Sequence, residues 1–252
     1  MASTAGPAGA VVVGGASGIG AAVAQSYRER GVPLSVWDVA GERDVSCDVS
    51  DPAQVDAAMA ATIAAIGVPD EFTVCAGVAS SGMLLDIEPA EWDRVLGVNA
   101  KGVMLAMRAA ARAMIDSGVK GSIVAVSSVS ARLVDRNMGV YCASKAALSM
   151  VVQVAAFEWA DWGIRVNAVG PGVTQTPMLG QAPRESGWLL HVQERTPLAR
   201  IGRPEEIADA IAALHGLGWV TGQVLEVDGG LGIHSPIDAV GDARRAAEAI
   251  DA

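Results

Sequence analysis

The chain has 252 residues, of which 51% are hydrophobic and 18% charged, and this composition suits one α/β domain with a large buried core. The formal net charge of −10 disfavours a nucleic-acid partner, because binding to phosphate backbones requires a basic surface. No apolar run approaches the ~20 residues that cross a bilayer and no signal-peptide pattern begins the chain, so we expect no membrane partner and a cytoplasmic location.

Cysteine and histidine are rare in this sequence. The three cysteines cannot all pair and show no metal-ligand spacing, which favours buried reduced thiols. The three histidines likewise show no ligand spacing, so we expect no metal site. These six residues are Cys47, Cys75, Cys142, His191, His215 and His234.

The first predicted elements are a strand, a glycine turn and a helix. An apolar run at residues 10–13 precedes a Gly-x-x-x-Gly-x-Gly turn, and residues 21–30 are helix-like. Glycines permit positive φ and close approach of the backbone to a pyrophosphate, while the helix N-terminus adds free N–H groups. The pattern predicts that a dinucleotide binds the turn at Gly14, Ser17, Gly18, Ile19 and Gly20, although one glycine-rich turn alone is not specific.

An acidic residue follows the second predicted strand, residues 34–37. Asp38 lies eighteen residues after Gly20, where a carboxylate can accept hydrogen bonds from both adenosine-ribose hydroxyls. The same charge would repel a 2′-phosphate, and no Lys or Arg lies within the glycine turn, so NAD is favoured over NADP. A turn at the strand end is the structural alternative. Only six residues separate Asp38 from the third predicted strand at 45–47, too few for a full helix.

Strand-like and helix-like segments alternate along the rest of the chain. Further strands are predicted at residues 72–76, 122–127, 165–169 and 224–227. This alternation requires βαβ crossovers, so we predict a single-domain, Rossmann-type doubly wound parallel sheet with helices on both faces.

Two side chains four residues apart, Tyr141 and Lys145, are predicted to share one face of a helix. A nearby ammonium favours the phenolate and lowers the tyrosine pKa, which makes the pair a general acid or base with its activator. Ser128 ends the predicted strand at 122–127 and is expected at the sheet edge where ligands bind. By themselves Tyr141 and Lys145 also fit an ordinary amphipathic helix.

Taken together, these segments resemble the short-chain dehydrogenase/reductase family from about residue 11 to residue 230. Four more family motifs have counterparts, namely Cys75-Ala76-Gly77, the helix asparagine Asn99, the Pro-Gly turn at 171–178 and the final strand at 222–230. The chain departs from the family pattern at Val13, which replaces a threonine, and at Cys75, which replaces an asparagine. Both departures concern local hydrogen bonds.

The resemblance implies hydride transfer between NAD(H) and a secondary alcohol or ketone. It implies that Tyr141 transfers the proton and that Ser128 donates a hydrogen bond to the substrate oxygen. By the same resemblance, Lys145 lowers the pKa of Tyr141 and binds the hydroxyls of the nicotinamide ribose. Asn99 shapes its helix so that a water can relay protons between Lys145 and solvent. The other implied cofactor contacts are Asp48, Val49, Ala76, Gly77, Pro171, Gly172, Thr174 and Thr176. An Asx turn or a helix cap explains Asp48 equally well.

Substrate identity is the least defined property. By their positions in the sequence, the candidate substrate contacts are Ser130, Met138, Val173 and Trp188. This mostly apolar set favours a hydrophobic or cyclic substrate of steroid, terpenoid or dihydrodiol type. Residues 179–198 are predicted to form a mobile cover over the substrate, with a surface helical hairpin as the alternative. A 3-ketoacyl thioester reductase is the alternative enzyme. A non-catalytic dinucleotide sensor is a further alternative that the intact catalytic set disfavours.

Assembly into a homotetramer is also expected. Residues 104–114 and 151–159 carry apolar and small side chains around much of each predicted helix, more than packing on one sheet face requires. The family resemblance implies a tetramer of paired long helices with a second contact through the final strand and the tail, residues 231–252, where Leu231 and Ile233 would reach a neighbour. The alternative is that both helices are buried within one subunit.

Overall fold

The computed structural model describes residues 8–181 and 187–233, in which seven strands form one parallel sheet. The spatial order is β3-β2-β1-β4-β5-β6-β7, which confirms the predicted doubly wound sheet. The order reverses between β1 and β4, and ligands of such sheets bind at the carboxyl ends of the strands beside this point. The strands are β1 (Ala10–Val13), β2 (Leu34–Asp38), β3 (Val45–Ser46), β4 (Glu71–Val74), β5 (Ser122–Val126), β6 (Arg165–Pro171) and β7 (Val224–Val227).

Helices cover both faces of the sheet. One core lies between the sheet and α2, α4 and α5, and a second core lies between the sheet and α1 and α7. Along β1, Val11 and Val13 enter the first core, whereas Ala10 and Val12 enter the second. Burial on both faces explains the unbroken apolar run in the sequence. The helices are α1 (Gly18–Glu29), α2 (Pro52–Ile66), α3 (Pro89–Leu96), α4 (Val103–Ser117), α5 (Gly139–Trp159), α6 (Trp188–Arg195) and α7 (Pro204–Gly216).

The connection between β2 and β3 contains no helix, as its length predicted. Gly41 lies in this connection with φ +74°, and a Cβ at that position would lie 2.9 Å from the Cβ of Ala16 in the glycine turn. The short connection therefore packs directly against the glycine turn.

The longest apolar helix corrects one expectation from the sequence. Gly139–Trp162 is long and apolar enough to cross a membrane by length and composition, with a mean hydropathy of 1.5, so the expectation that no segment reaches this limit was wrong. Within the described part of the chain, the helix packs on the sheet and buries Leu148, Val152, Ala155 and Ala156 in the first core. A core helix of this kind meets the same criterion as a membrane span.

The expected excess of apolar surface is present on α5 but not on α4. Met107 and Met114 of α4 are fully buried within the chain, because α4 packs between the sheet and its neighbours α2 and α5. On α5, in contrast, Met150, Val154 and Phe157 are 59%, 47% and 86% exposed. Their spacing places them on one helix face.

A second apolar surface lies around the edge strand β7. Leu225 on β7 is 42% exposed, and Trp219, in the loop before it, is fully exposed. Ile233, just after the final strand, is 83% exposed, whereas Leu231 is half-buried. Residues 234–252 of the predicted tail lie outside the described residues.

A buried histidine on α7 couples stability to pH. His215 is 5% exposed; one ring nitrogen is 3.0 Å from the Thr73 hydroxyl and the other 3.0 Å from the Ser122 hydroxyl. Burial, together with the nearby Arg165 and Arg30 charges, lowers the His215 pKa to about 3. An unfolded histidine titrates near pH ~6.5, so below that pH the unfolded chain takes up a proton that the folded chain does not.

We expect the His215 contribution to the free energy of unfolding to be full above pH ~6.5 and to fall as the pH drops toward 3. The loss between pH ~7.5 and ~5 should be about 2 kcal/mol. Urea denaturation across this pH range should therefore show that the free energy of unfolding depends less steeply on pH in His215→Gln than in the wild type. The exposed His191→Gln is the matched control, and equal pH dependence in all three proteins would contradict this assignment.

Candidate active site

The glycine turn joins β1 to α1 and leaves no room for a side chain at Gly14 or Gly20. A Cβ at Gly14, where φ is +74°, would lie 2.6 Å from the Ala76 nitrogen, and one at Gly20 would collide with the carbonyl oxygen of Gly14. Ser17 is the N-cap of α1 but makes no capping hydrogen bond with its side chain. Ile19 packs partly against the second core. A bare backbone at a helix N-terminus fits the pyrophosphate of a dinucleotide.

Asp38 ends β2 and faces the glycine turn. One carboxylate oxygen accepts a hydrogen bond from the Ala16 N–H (3.0 Å), and the other accepts from the N–H groups of Val39 (2.7 Å) and Ala40 (3.3 Å). An ionised carboxylate has about four acceptor positions. It therefore retains capacity for a ribose hydroxyl while these amides hold its orientation.

The structure gives Asp48 and Val49 local roles. One Asp48 oxygen accepts hydrogen bonds from the Ser50 N–H (2.9 Å) and hydroxyl (2.7 Å), which is the Asx turn considered above. Asp51, not Asp48, caps α2 through the Ala53 N–H. Val49 is 5% exposed and packs on Gly102, where a Cβ would lie 2.8 Å from it. Contact with adenine by either residue stays a prediction.

Asn99 is fully buried in a π-helical turn, Gly97–Gly102, between α3 and α4. Its amide nitrogen donates to the Val78 carbonyl (2.9 Å) and the Ser144 hydroxyl (3.0 Å), and its oxygen accepts from the Val78 N–H (2.8 Å). The side chain therefore joins the segment after β4 to α5. This agrees with a role in shaping the helix, and the relay water stays a prediction.

The segment after β4 lies against the same groups. A Cβ at Gly77 would lie 3.4 Å from both the Asn99 Oδ1 and the Lys145 Nζ, so Ala76 and Gly77 border the site. Burial raises the pKa of the preceding Cys75 thiol to about 12, against the opposing effect of Lys145. Cys75 is therefore a neutral thiol near pH 7.

Ser128, Tyr141 and Lys145 converge at the carboxyl end of β5. Ser128 caps the short 3-10 turn Val129–Ala131 by accepting a hydrogen bond from the Ser130 N–H (3.1 Å). Its hydroxyl also lowers the pKa of the Tyr141 phenol. The Lys145 Nζ, 4% exposed, donates to the Val126 carbonyl (2.9 Å) and lies 5.8 Å from the centre of the Tyr141 ring.

The sequence predicted a lowered pKa for Tyr141, and this prediction was wrong, because the net effect of the protein's own groups raises the pKa. Burial raises the pKa of Tyr141, and the Ser128 hydroxyl offsets only part of this rise. Burial also lowers the pKa of Lys145 to about 8. Burial of the phenol is the largest cause of the Tyr141 shift. The Lys145 ammonium donates its hydrogen bond to the Val126 carbonyl.

The Pro-Gly segment after β6 runs from the carboxyl end of that strand to the glycine turn. Pro171 ends β6, and the Gly172 N–H donates to the Val227 carbonyl (3.1 Å). The Thr174 hydroxyl donates to the Gly172 carbonyl (3.0 Å). Thr176 lies beside the glycine turn, since a Cβ at Gly18 would be 3.3 Å from the Thr176 Cβ. Residues 171–176, hereafter the nicotinamide loop, therefore reach from β6 to the glycine turn.

The four proposed substrate residues lie on different segments, and their joint contact with substrate stays a prediction. Ser130 is buried next to Ser128, and Met138 is the N-cap residue of α5, three positions before Tyr141. Val173 lies in the nicotinamide loop. Trp188 begins α6 and is 37% exposed. Residues 182–186 of the predicted cover lie outside the described residues, so closure over substrate stays a prediction.

Sequence reasoning missed the loop before α3. Gly82 pairs with Met138 as an isolated bridge, and its N–H donates to the Asn137 carbonyl (2.8 Å). Leu84 packs on the first turn of α5, since a Cβ at Gly139 would lie 2.6 Å from it. No motif marks this loop. Its one signal is the apolar run Met83-Leu84-Leu85 in a segment without strand or helix.

Within residues 8–181 and 187–233, no three His, Cys, Asp or Glu side chains are grouped so that they could hold a metal ion.

Comparison with known proteins adds independent information. The family model described as enoyl-(acyl carrier protein) reductase matches residues 14–232. Cis-4-hydroxycyclohexanecarboxylate dehydrogenase from Sinomonas cyclohexanicum is 37% identical over 239 residues, covering 88% of this chain and 95% of the relative. A (3R)-3-hydroxyacyl-CoA dehydrogenase from Canis lupus familiaris is 34% identical, with coverage of 88% and 95%. The ligand-free aldohexose dehydrogenase structure from Thermoplasma acidophilum superposes with a TM-score of 0.84 at 32% identity, covering 91% and 96%.

Proposed function

The chain belongs to the short-chain dehydrogenase/reductase family and is an oxidoreductase of CH–OH groups, and from this premise we propose that it transfers a hydride between NAD(H) and a cyclic or otherwise hydrophobic secondary alcohol. The observation that carries the proposal is the convergence of Ser128, Tyr141 and Lys145 at the end of β5. That edge of the sheet also holds the glycine turn.

The protein fits a nicotinamide dinucleotide along this edge. The glycine turn offers a bare backbone to the pyrophosphate, Asp38 would accept from the adenosine ribose, and Lys145 would bind the nicotinamide ribose. Thr176 would contact the carboxamide. When bound, the dinucleotide supplies the hydride acceptor or donor. NAD is favoured over NADP because the Asp38 carboxylate would repel a 2′-phosphate.

Tyr141 is the group that moves the proton. During oxidation its phenolate oxygen accepts the proton of the substrate hydroxyl, and during reduction the phenol returns it to the carbonyl oxygen. Ser128 donates a hydrogen bond to the substrate oxygen and holds it beside the phenol. Lys145, whose pKa burial lowers to about 8, lies beside the phenol, with its Nζ 5.8 Å from the centre of the Tyr141 ring. Asn99 holds the segment after β4 against α5.

The substrate is proposed to be a cyclic secondary alcohol. Met138, the N-cap residue of α5, and Leu84, which packs on Gly139, lie at the first turn of the helix that carries Tyr141. Apolar side chains there would suit an apolar ring more than a polyol. The Sinomonas relative is named for a hydroxycyclohexane carboxylate, which is a cyclic secondary alcohol. A 3-hydroxyacyl thioester is the second candidate, favoured by the canine relative named for such a substrate.

The test is a panel of cyclic secondary alcohols, their ketones and 3-hydroxyacyl thioesters, assayed by absorbance with NAD(H) and NADP(H) at matched concentrations. We expect the highest kcat/KM for a cyclic alcohol with NAD. A higher value for a thioester would replace the substrate assignment. Absence of turnover on the whole panel, with NADH bound normally, would favour a non-catalytic dinucleotide sensor.

Location and assembly complete the proposal. We place the protein in the cytoplasm, because the three described cysteines are free thiols. The apolar face of α5 and the apolar surface around β7 lie on different elements. Two self-complementary surfaces of this kind would build a tetramer with closed symmetry.

We expect light scattering across a concentration series to give the mass of a tetramer. Phe157→Glu should shift the protein to a dimer, because it introduces a charge on an 86% exposed apolar residue of α5. Ile63→Glu, on the exposed side of α2, is the control and should leave the mass unchanged. An active wild-type monomer at every concentration would refute the proposed assembly.

A further inference from the structure

An arginine next to the catalytic serine reaches across to the final strand. Arg132 follows the 3-10 turn that Ser128 caps, and its N–H donates to the Val129 carbonyl (3.0 Å). Its guanidinium lies 3.9 Å from the Glu226 carboxylate on β7. It also covers Gly232, where a Cβ would lie 2.6 Å from its Nη2. One side chain therefore contacts two segments that lie far from it in the sequence.

Glu226 lies partly buried beside this guanidinium. Its Oε2 is buried and has no hydrogen-bond partner among the described residues. The carboxylate lies over the backbone of β6, since a Cβ at Gly170 would be 3.3 Å from the Glu226 Cδ. Burial raises the pKa of Glu226, and the Arg132 charge opposes that rise. A partly buried carboxylate with one unpaired oxygen costs stability unless a cation lies near it.

The turn at residues 228–232 lies between β7 and the nicotinamide loop. The Asp228 carboxylate accepts from the N–H groups of Gly230 (2.9 Å) and Gly232 (2.6 Å). A Cβ at Gly172 in the nicotinamide loop would lie 2.8 Å from the Asp228 Cα. The turn therefore packs directly against the backbone that is proposed to fix the nicotinamide.

The same turn holds the end of the predicted cover. The Leu198 N–H donates to the Gly229 carbonyl (3.1 Å), and a Cβ at Gly230 would lie 2.9 Å from the Pro197 ring. From there the chain returns to the nicotinamide loop, because Thr174 and Gly202 form an isolated bridge.

We propose that Arg132 is a positioning residue that, through Glu226 and the 228–232 turn, sets the distance between the Ser128 turn and the nicotinamide loop. In this role Arg132 acts only through protein contacts, with Glu226 and the backbone at Gly232. This inference rests on the proposed function, since it concerns how Ser128 meets the bound dinucleotide. Loss of Arg132 should therefore impair the hydride-transfer step and leave cofactor binding intact.

Kinetics of Arg132→Met test this role, because methionine keeps much of the apolar stem and removes the charge. We expect kcat to fall about tenfold, less than the ~10²-fold cost of a 1 Å misplacement, and the primary deuterium isotope effect on kcat/KM to rise. The Kd for NADH should stay within about twofold. Arg132→Lys should restore most of the lost kcat, and Glu226→Gln should reproduce part of the loss.

Arg28→Met is the matched control. Arg28 makes an ion pair of similar length, 3.7 Å to Glu42, and its side chain is similarly exposed, 43% against 55% for Arg132. It lies on α1, outside the Ser128 turn. Wild-type kcat and isotope effect in Arg132→Met, or an equal loss in Arg28→Met, would overturn the proposal, as would a loss confined to NADH binding.

Amide hydrogen exchange separates this inference from the proposed reaction. We expect exchange at residues 129–132 to accelerate in Arg132→Met but not in Arg28→Met, because the turn loses its tie to β7. This measurement needs no turnover. A wild type without dehydrogenase activity would refute the proposed function alone, whereas unchanged exchange in Arg132→Met would refute the positioning role alone.

Discussion

Tyr141→Phe is expected to lower turnover more than ~10²-fold, the lower limit for loss of a general acid or base, while NADH binding stays nearly normal. The substitution removes only the ionisable hydroxyl. Ser128, Lys145 and the glycine turn remain in place to bind substrate and cofactor. The measurements are kcat with the best alcohol of the panel and fluorescence titration with NADH.

Tyr27→Phe is the matched control for the same chemical change. Tyr27 is buried on α1 and donates a hydrogen bond of 2.6 Å to Glu71, so its loss should lower the free energy of unfolding without lowering kcat. Tyr141→Phe with near-wild-type kcat and normal NADH binding would mean that another group transfers the proton.

The pH profile gives a second view of Tyr141. Because burial raises its pKa, the wild type should oxidise alcohols faster as the pH rises above neutrality and should reduce ketones better at lower pH. Lys145, with a pKa of about 8, loses its charge in the alkaline part of that profile.

Asp38→Ala is expected to lower kcat/KM with NAD by at least about tenfold, since hydrogen bonds to a charged group contribute ~1.5–3 kcal/mol. The same change should raise kcat/KM with NADP, because the carboxylate no longer repels the 2′-phosphate. The measured quantity is the ratio of kcat/KM for NAD to that for NADP in wild type and variant.

The contacts of Asp38 explain why the variant is expected to fold. Its carboxylate accepts hydrogen bonds from the N–H groups of Ala16 in the glycine turn and of Val39 and Ala40 after β2. All three residues are at least partly exposed and lie outside the core. Asp38→Asn, which keeps one acceptor oxygen and removes the charge, serves as the control for the repulsion. A wild type that prefers NADP would refute the role of Asp38.

Much of the architecture was predictable from periodicity alone. The continuous apolar runs of β1 and β5 reflect burial on both faces of the sheet, and the six residues between Asp38 and Val45 excluded a crossover helix. The glycine spacing and the four-residue interval between Tyr141 and Lys145 are local patterns. Because backbone geometry converts such patterns directly into turns and helix faces, the sequence by itself determined the sheet, the glycine turn and the shared helix face of Tyr141 and Lys145.

Properties that depend on desolvation and on distant contacts were decided only by the tertiary structure. The Tyr141 pKa is raised because the folded chain buries the phenol, and burial depends on every element around it rather than on Lys145 alone. α4 and α5 have similar apolar compositions, yet only α5 is left with an exposed face, because α4 is enclosed by α2, α5 and the sheet. The contact between Arg132 and Glu226 joins residues far apart in the chain. Contacts of this kind carry no periodic signal, so only the folded structure reveals them.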